Sequence, residues 1–170
     1  MNLCVTPAGG HRGWLDFEGT RHPCALGPAG IRDNKREGDG ATPRGSFPLR
    51  RVLYRADRVS RPDSGLPVSE IGARDGWCDA PDDPAYNQQV PLPHTASAEN
   101  LWRDDGVYDL LVVVGYNDAP VVGGRGSAIF LHVASPEFGP TEGCVALEIG
   151  ALQAIVARLA PGDTIETRTS

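Results

Sequence analysis

No apolar run in this chain is longer than a strand. The longest, Leu110–Val114, is bounded by polar and turn-forming residues, and the others are shorter still. Gly (21) and Pro (15) recur along all 170 residues, which favours many short strands joined by turns over long helices. One stretch breaks that rule. Across residues 149–159, Ile149, Leu152, Ile155, Val156 and Leu159 recur on one face at helical spacing, and Pro161-Gly162 stops the run. The expected product is a mainly β domain spanning residues 1–170 as one unit, with one short peripheral C-terminal helix. That length is enough to enclose a core of its own.

Strands are predicted over 2–5, 13–18, 22–26, 47–54, 107–116 and 164–167, with a hairpin turn at Glu18-Gly19-Thr20-Arg21. Residues 27–45 carry too much Gly, Pro and charge for a regular element and read as a functional loop. Residues 97–103 read as a short helix, with Ser97 as its cap and Glu99 in its first turn.

A net charge of −6 argues against a nucleic-acid partner, which needs a basic surface, and no run reaches the length of a membrane span. The first residues lack a basic region followed by an apolar one. This predicts a cytoplasmic chain, or a cell-envelope one if export uses another route. Cys4, Cys24 and Cys78 are expected to be reduced and buried as small hydrophobes. His11, His22 and Cys24 do not have the spacing of a structural zinc site, His94 reads as a loop residue, and no metal is expected.

The chemistry concentrates in residues 127–147, SAIFLHVASPEFGPTEGCVAL. A short apolar strand ends at His132. A loop punctuated by Pro136, Gly139 and Pro140 leads to Thr141-Glu142-Gly143-Cys144 and a second apolar run. A cysteine is nucleophilic as its thiolate, so it needs a base, and an imidazole can take the proton and later return it to a leaving amine. Gly143 permits close approach of a substrate backbone, and its surroundings can supply amide donors to an oxyanion. A lone His/Cys pair twelve positions apart is by itself a weak signal and more often marks a buried structural cysteine and a core histidine.

The wording of the stretch resembles the L,D-transpeptidase catalytic domain of the YkuD-like family, whose usual motif is a His, a loop, then Ser/Thr-His-Gly-Cys with Asn or Arg two residues on. Upstream, Leu26-Gly27, Gly30-Ile31, Lys35 and residues 38–47, GDGATPRGSF, resemble the same family's glycine-rich signature, in the expected order. The chain departs from the pattern at Glu142, in place of the second His, and at Ala146, in place of Asn or Arg. The resemblance implies a β-sandwich-like fold, no cofactor, and a peptidoglycan stem peptide or muropeptide as partner; a monomer is expected. It implies Cys144 as nucleophile, His132 as base and then acid, and amides near Gly143 and Cys144 as oxyanion donors. The thioester would pass to an amine, giving a cross-link, or to water, giving L,D-carboxypeptidase activity. A non-catalytic stem-peptide-binding domain is the third reading.

Four further residues are candidate substrate contacts. Arg125 in Gly123-Gly124-Arg125-Gly126 offers a guanidinium to a substrate carboxylate, against the alternative of a solvated loop arginine. Trp77 can line a cleft or anchor a loop to the core. Thr141 opens the nucleophile turn. If residues 141–144 are extended, Glu142 shares a face with Cys144 and can orient His132 or bind a substrate ammonium; the alternative is a solvent-facing glutamate.

Overall fold

The computed structural model describes residues 1–170. In chain order the strands are β1 (Asn2–Gly9), β2 (Arg12–Phe17), β3 (Thr20–Ala25), β4 (Ile31–Arg32), β5 (Thr42–Pro43), β6 (Gly45–Tyr54) and β7 (Val68–Glu70). There follow β8 (Asp75–Cys78), β9 (Gln89–Pro91), β10 (Ala98–Asn100), β11 (Leu110–Val114), β12 (Phe130–Val133), β13 (Val145–Leu147), the helix α1 (Ile149–Val156) and β14 (Thr164–Thr167).

The main sheet runs β11-β12-β13-β3-β2-β1-β14-β6-β7, and β6 also pairs with β11 along Tyr54↔Leu110 to Leu49↔Val114. That pairing closes the sheet on itself. The architecture is therefore barrel-like rather than the sandwich the sequence led us to expect. Closure removes the free edges within the ring and leaves β7, paired with β6 alone, at the one edge. A small sheet, β10-β8-β9, lies outside the barrel.

The alternation of side chains along β11 divides the core in two. Leu110, Val112 and Val114 point into a 23-residue cluster with Leu131, Val145 and Leu147, inside the barrel. Leu111 and Val113 point outward into a second cluster with Trp77, Leu101, Tyr108, Phe130 and Cys144, between the barrel and the small sheet. Strands buried on both faces need no alternating polar residues, which is why LLVVV is wholly apolar.

The helix is shorter than its periodicity suggests. It spans Ile149–Val156, with the Glu148 carboxylate accepting from the Ala151 amide as N-cap, while Leu159 is buried just beyond it. Eight residues are too few for a helix to persist alone. Complete burial of Leu152, Ile155 and Val156, worth roughly 1.5–3 kcal/mol each, holds it on the barrel.

Residues 97–103 are not a helix. Ala98–Asn100 forms β10 and pairs antiparallel with β8, Glu99 opposite Trp77. Pairing satisfies the backbone groups that an isolated seven-residue helix would leave open. The turn at Glu18-Gly19 is as expected. Both residues have positive φ (47° and 79°), the conformation of a two-residue hairpin turn whose twist matches its strands.

Candidate active site

The site lies on the outer face of β12 and β13, under the small sheet. These strands run parallel with Leu131 opposite Val145 and His132 opposite Ala146. Leu131, Val145 and Leu147 face the barrel interior, so His132, Ala146 and Cys144 take the outer face together with Phe130. There His132, Ala146 and Cys144 line a cavity of about 360 Å³ with Thr141, Glu142, Glu99, Arg103, Tyr108, Asp105 and Asp79. Ala146 leaves open the space beside the imidazole that a longer side chain would fill.

Two loops fix Cys144. Gly143 has φ +129°, and a Cβ there would sit 2.6 Å from the Ala41 carbonyl oxygen and 3.2 Å from Lys35 Nζ. The Thr141 hydroxyl accepts from the Gly143 amide (3.1 Å) and donates to the Cys144 carbonyl (2.7 Å). The segment is thus a tight bend, not the extended run that would put Glu142 and Cys144 on one face by alternation; Glu142 nevertheless lines the same cavity. Thr141 lines the cavity while its hydroxyl ties the turn, and it occupies the Gly143 amide expected among the oxyanion donors.

The glycine-rich loop packs beneath this bend. Asp39 accepts from Lys35 Nζ (2.9 Å), the Ala41 amide (2.9 Å) and the Arg36 amide (2.7 Å). Lys35 is buried, and its charge lies near the thiol. A Cβ on Gly27 would meet the Gly40 carbonyl oxygen at 2.2 Å and the Gly143 amide nitrogen at 3.2 Å. The glycines of the two sequence motifs therefore bring three backbone segments together under Cys144.

On the other side, Asn87 holds the approach to β12. Its Oδ1 accepts from Trp77 Nε1 (2.9 Å) and the Ala128 amide (3.0 Å), and its Nδ2 donates to the carbonyls of Tyr116 (3.0 Å) and Asn117 (2.8 Å). All four bonding positions of the amide are used. Ala128 is held at φ +53°, an unfavourable conformation for a non-glycine residue, and its carbonyl accepts the Cys144 thiol at 3.2 Å. The Phe130 amide donates to the same sulfur at 3.3 Å.

His132 Nδ1 meets the Val133 carbonyl at 2.9 Å. A carbonyl accepts only, so Nδ1 carries the proton and Nε2 is left as the basic nitrogen. The edge of Tyr108 packs on the imidazole (centroids 5.3 Å apart, 82° between planes), and the Tyr108 hydroxyl donates to Glu99 Oε1. Arg103 stacks over Tyr108 at 5.3 Å and pairs with Asp105.

Burial sets the protonation states. It lowers the His132 pKa to about 4, with the Val133 and Val107 carbonyls opposing in part. It raises Cys144 to about 12; the Phe130 amide and Lys35 oppose this, while Glu99 and Glu142 add to it. Glu99 is raised to about 7, again by burial, against its bonds to Tyr108 and the charge of Arg103. At rest the site thus pairs a neutral thiol with a neutral imidazole.

A pH dependence of stability follows. Folding favours the neutral form of His132, whose pKa falls from 6.5 to about 4. The associated stability is fully present above pH 6.5 and is lost as pH falls through the folded value, a contribution of roughly 3 kcal/mol. Urea unfolding at pH 7 and pH 4 should show a smaller acid loss for His132→Gln than for the parent. Equal losses would mean that the imidazole is not buried neutral.

Arg125 and Trp77 fall outside the cavity. Arg125 is an exposed loop residue whose carbonyl accepts the Tyr116 hydroxyl, and it borders separate surface hollows with Tyr116. Trp77 is buried edge-to-face on Phe130 (5.0 Å) and bonded to Asn87, so it supports the site from behind. Glu99, Tyr108 and Arg103 are the residues that sequence reasoning missed as cavity lining. Their only sequence signal, a Tyr just ahead of the central strand, is a common packing feature.

A barrel-like sheet thus carries a cysteine and a histidine into one acidic cavity, above a glycine-rich loop. Residues 11–167 match the model of the YkuD family, described as the L,D-transpeptidase catalytic domain, and the chain belongs to that family. A search of curated proteins returned no match.

Proposed function

We propose that this domain is a cysteine-dependent L,D-transpeptidase acting on peptidoglycan tetrapeptide stems through a thioester. The observation that carries the reading is the shared cavity of Cys144 and His132, with the basic Nε2 of the imidazole left unprotonated by the Nδ1 contact to Val133. In this reading His132 takes the thiol proton as the sulfur attacks the carbonyl of the L-centre of diaminopimelate. The imidazolium then protonates the departing D-Ala amine. Because Thr141 occupies the Gly143 amide, the Cys144 amide is the nearer candidate for the oxyanion. Release to an amine gives a cross-link; release to water gives carboxypeptidase activity.

The cavity wall suits a cationic substrate. Glu99, Glu142, Asp79 and Asp105 line it against a single guanidinium, Arg103, which Asp105 already pairs. Burial is the main cause of the raised thiol pKa and Glu99 and Glu142 add to it; an ammonium entering there offsets those two carboxylates, so binding of the diaminopimelate amine and activation of Cys144 act in the same direction. Mass analysis of purified tetrapeptide muropeptides after incubation tests the function. Loss of D-Ala or formation of dimers is expected, and unchanged substrate would leave only a binding domain. Glu142→Gln should raise KM more than it lowers kcat, and less so for stems whose side-chain amine is acetylated. A fall in kcat alone, the same for both stems, would assign Glu142 to His132 instead.

A further inference from the structure

We propose a second site, for a single zinc-class divalent cation, formed by Cys78, Asp83 and His94 at one end of the small sheet. Cys78 ends β8, Asp83 lies in the turn that follows, and His94 lies just beyond β9, so the β8–β9 hairpin brings all three together. One donor atom from each lies within 4.8 Å of the other two. His94 Nε2 and Asp83 Oδ1 are 3.3 Å apart, long for a charge-assisted hydrogen bond. It is, however, about the edge of a tetrahedron drawn around zinc with bonds of ~2.0–2.1 Å to nitrogen and oxygen. Sulfur, imidazole and carboxylate are the donors that zinc takes, and three protein ligands leave a fourth position for water.

The surroundings fit a cation. The Ala85 amide donates to Asp83 Oδ1 at 2.8 Å, aiming the carboxylate as outer partners of metal ligands do. Cys78 is fully buried, whereas the Asp83 and His94 side chains are 15% and 17% exposed, so the solvent-facing side of the cluster is the one these two residues form. Binding replaces the S–H bond with a sulfur–metal bond and releases one proton to solvent, with no change of oxidation state.

The ion would act as a brace. Cys78 precedes Asp79, which lines the catalytic cavity, and β8 pairs with the strand that carries Glu99. Clamping the hairpin fixes two acidic walls of that cavity from outside it.

Co²⁺ serves as the probe, added to reduced, chelator-stripped full-length protein. Binding of one equivalent, with a thiolate-to-cobalt charge-transfer band that Zn²⁺ displaces, is expected. Cys144→Ala should keep the band, Cys78→Ser should lose it, and Asp83→Asn and His94→Gln should each weaken binding by ~10-fold or more. Absence of the band, its loss in Cys144→Ala, or its survival in folded Cys78→Ser would overturn the site. If Cys78→Ser does not fold, unchanged affinity in Asp83→Asn and His94→Gln would overturn it equally.

Discussion

Cys144→Ala should abolish turnover of stem peptides and leave the fold intact. The substitution removes the only sulfur in the cavity and, with it, two weak hydrogen bonds, to the Ala128 carbonyl and from the Phe130 amide. The small loss of volume should cost no more than about 1–2 kcal/mol. Turnover, by contrast, should fall by several orders of magnitude, because no other nucleophile stands beside His132. A carbapenem presents a strained acyl group to the same sulfur. The parent should gain one drug mass at Cys144 and the variant none, by intact mass and peptide mapping. Cys4, Cys24 and Cys78 should remain unmodified, since they lie outside the cavity. An adduct on any of these three would move the nucleophile elsewhere.

Gly27→Ala should be nearly as damaging by a different route. The new methyl would lie 2.2 Å from the Gly40 carbonyl oxygen, a backbone atom that cannot rotate aside, and within 3.2 Å of the Gly143 amide nitrogen. Either the glycine-rich loop or the bend at Cys144 must move. We expect a loss of about 3 kcal/mol or more in urea unfolding, together with slower alkylation of Cys144 in whatever remains folded. Gly19→Ala is the control. A methyl there would meet no atom within 4 Å, and its cost should be limited to the strain of a positive φ. Equal effects at both positions would mean that the approach of the two loops does not hold the site.

The parts of the site that were legible in the sequence are those whose chemistry is local. His132 and Cys144 stand at strand edges, and the glycines around them mark close backbone approach, so residue type and spacing point to both. The partners drawn from distant strands were not legible. Glu99 lies in a three-residue polar strand, AEN, whose pattern resembles a helix start as much as a strand. Only pairing with β8 decides between them, and pairing partners are not written in a strand's own period. Tyr108, Arg103 and Asp105 reach the cavity for the same reason, through the placement of the loop before β11.

Arg125 and Trp77 show the converse. Each has the right chemistry for a substrate contact, and neither reaches the cavity. Trp77 has its indole N–H bonded to Asn87 and its ring on Phe130, so packing rather than recognition explains it. The closure of the sheet was likewise invisible, since it rests on β6 pairing with β14 along its first half and with β11 along its second. A ten-residue strand with no polar alternation in its latter part reads the same in a sandwich as in a barrel.

The central claim is that Cys144 becomes acylated by the stem peptide. Full-length protein mixed with a tetrapeptide stem and quenched in acid tests it directly, by intact mass and peptide mapping. The account predicts a species heavier by the tripeptide acyl group, carried on the peptide containing Cys144 and absent from Cys144→Ala. Release of D-Ala by the parent with no acylated Cys144 at any quench time, or release that persists in Cys144→Ala, would contradict it.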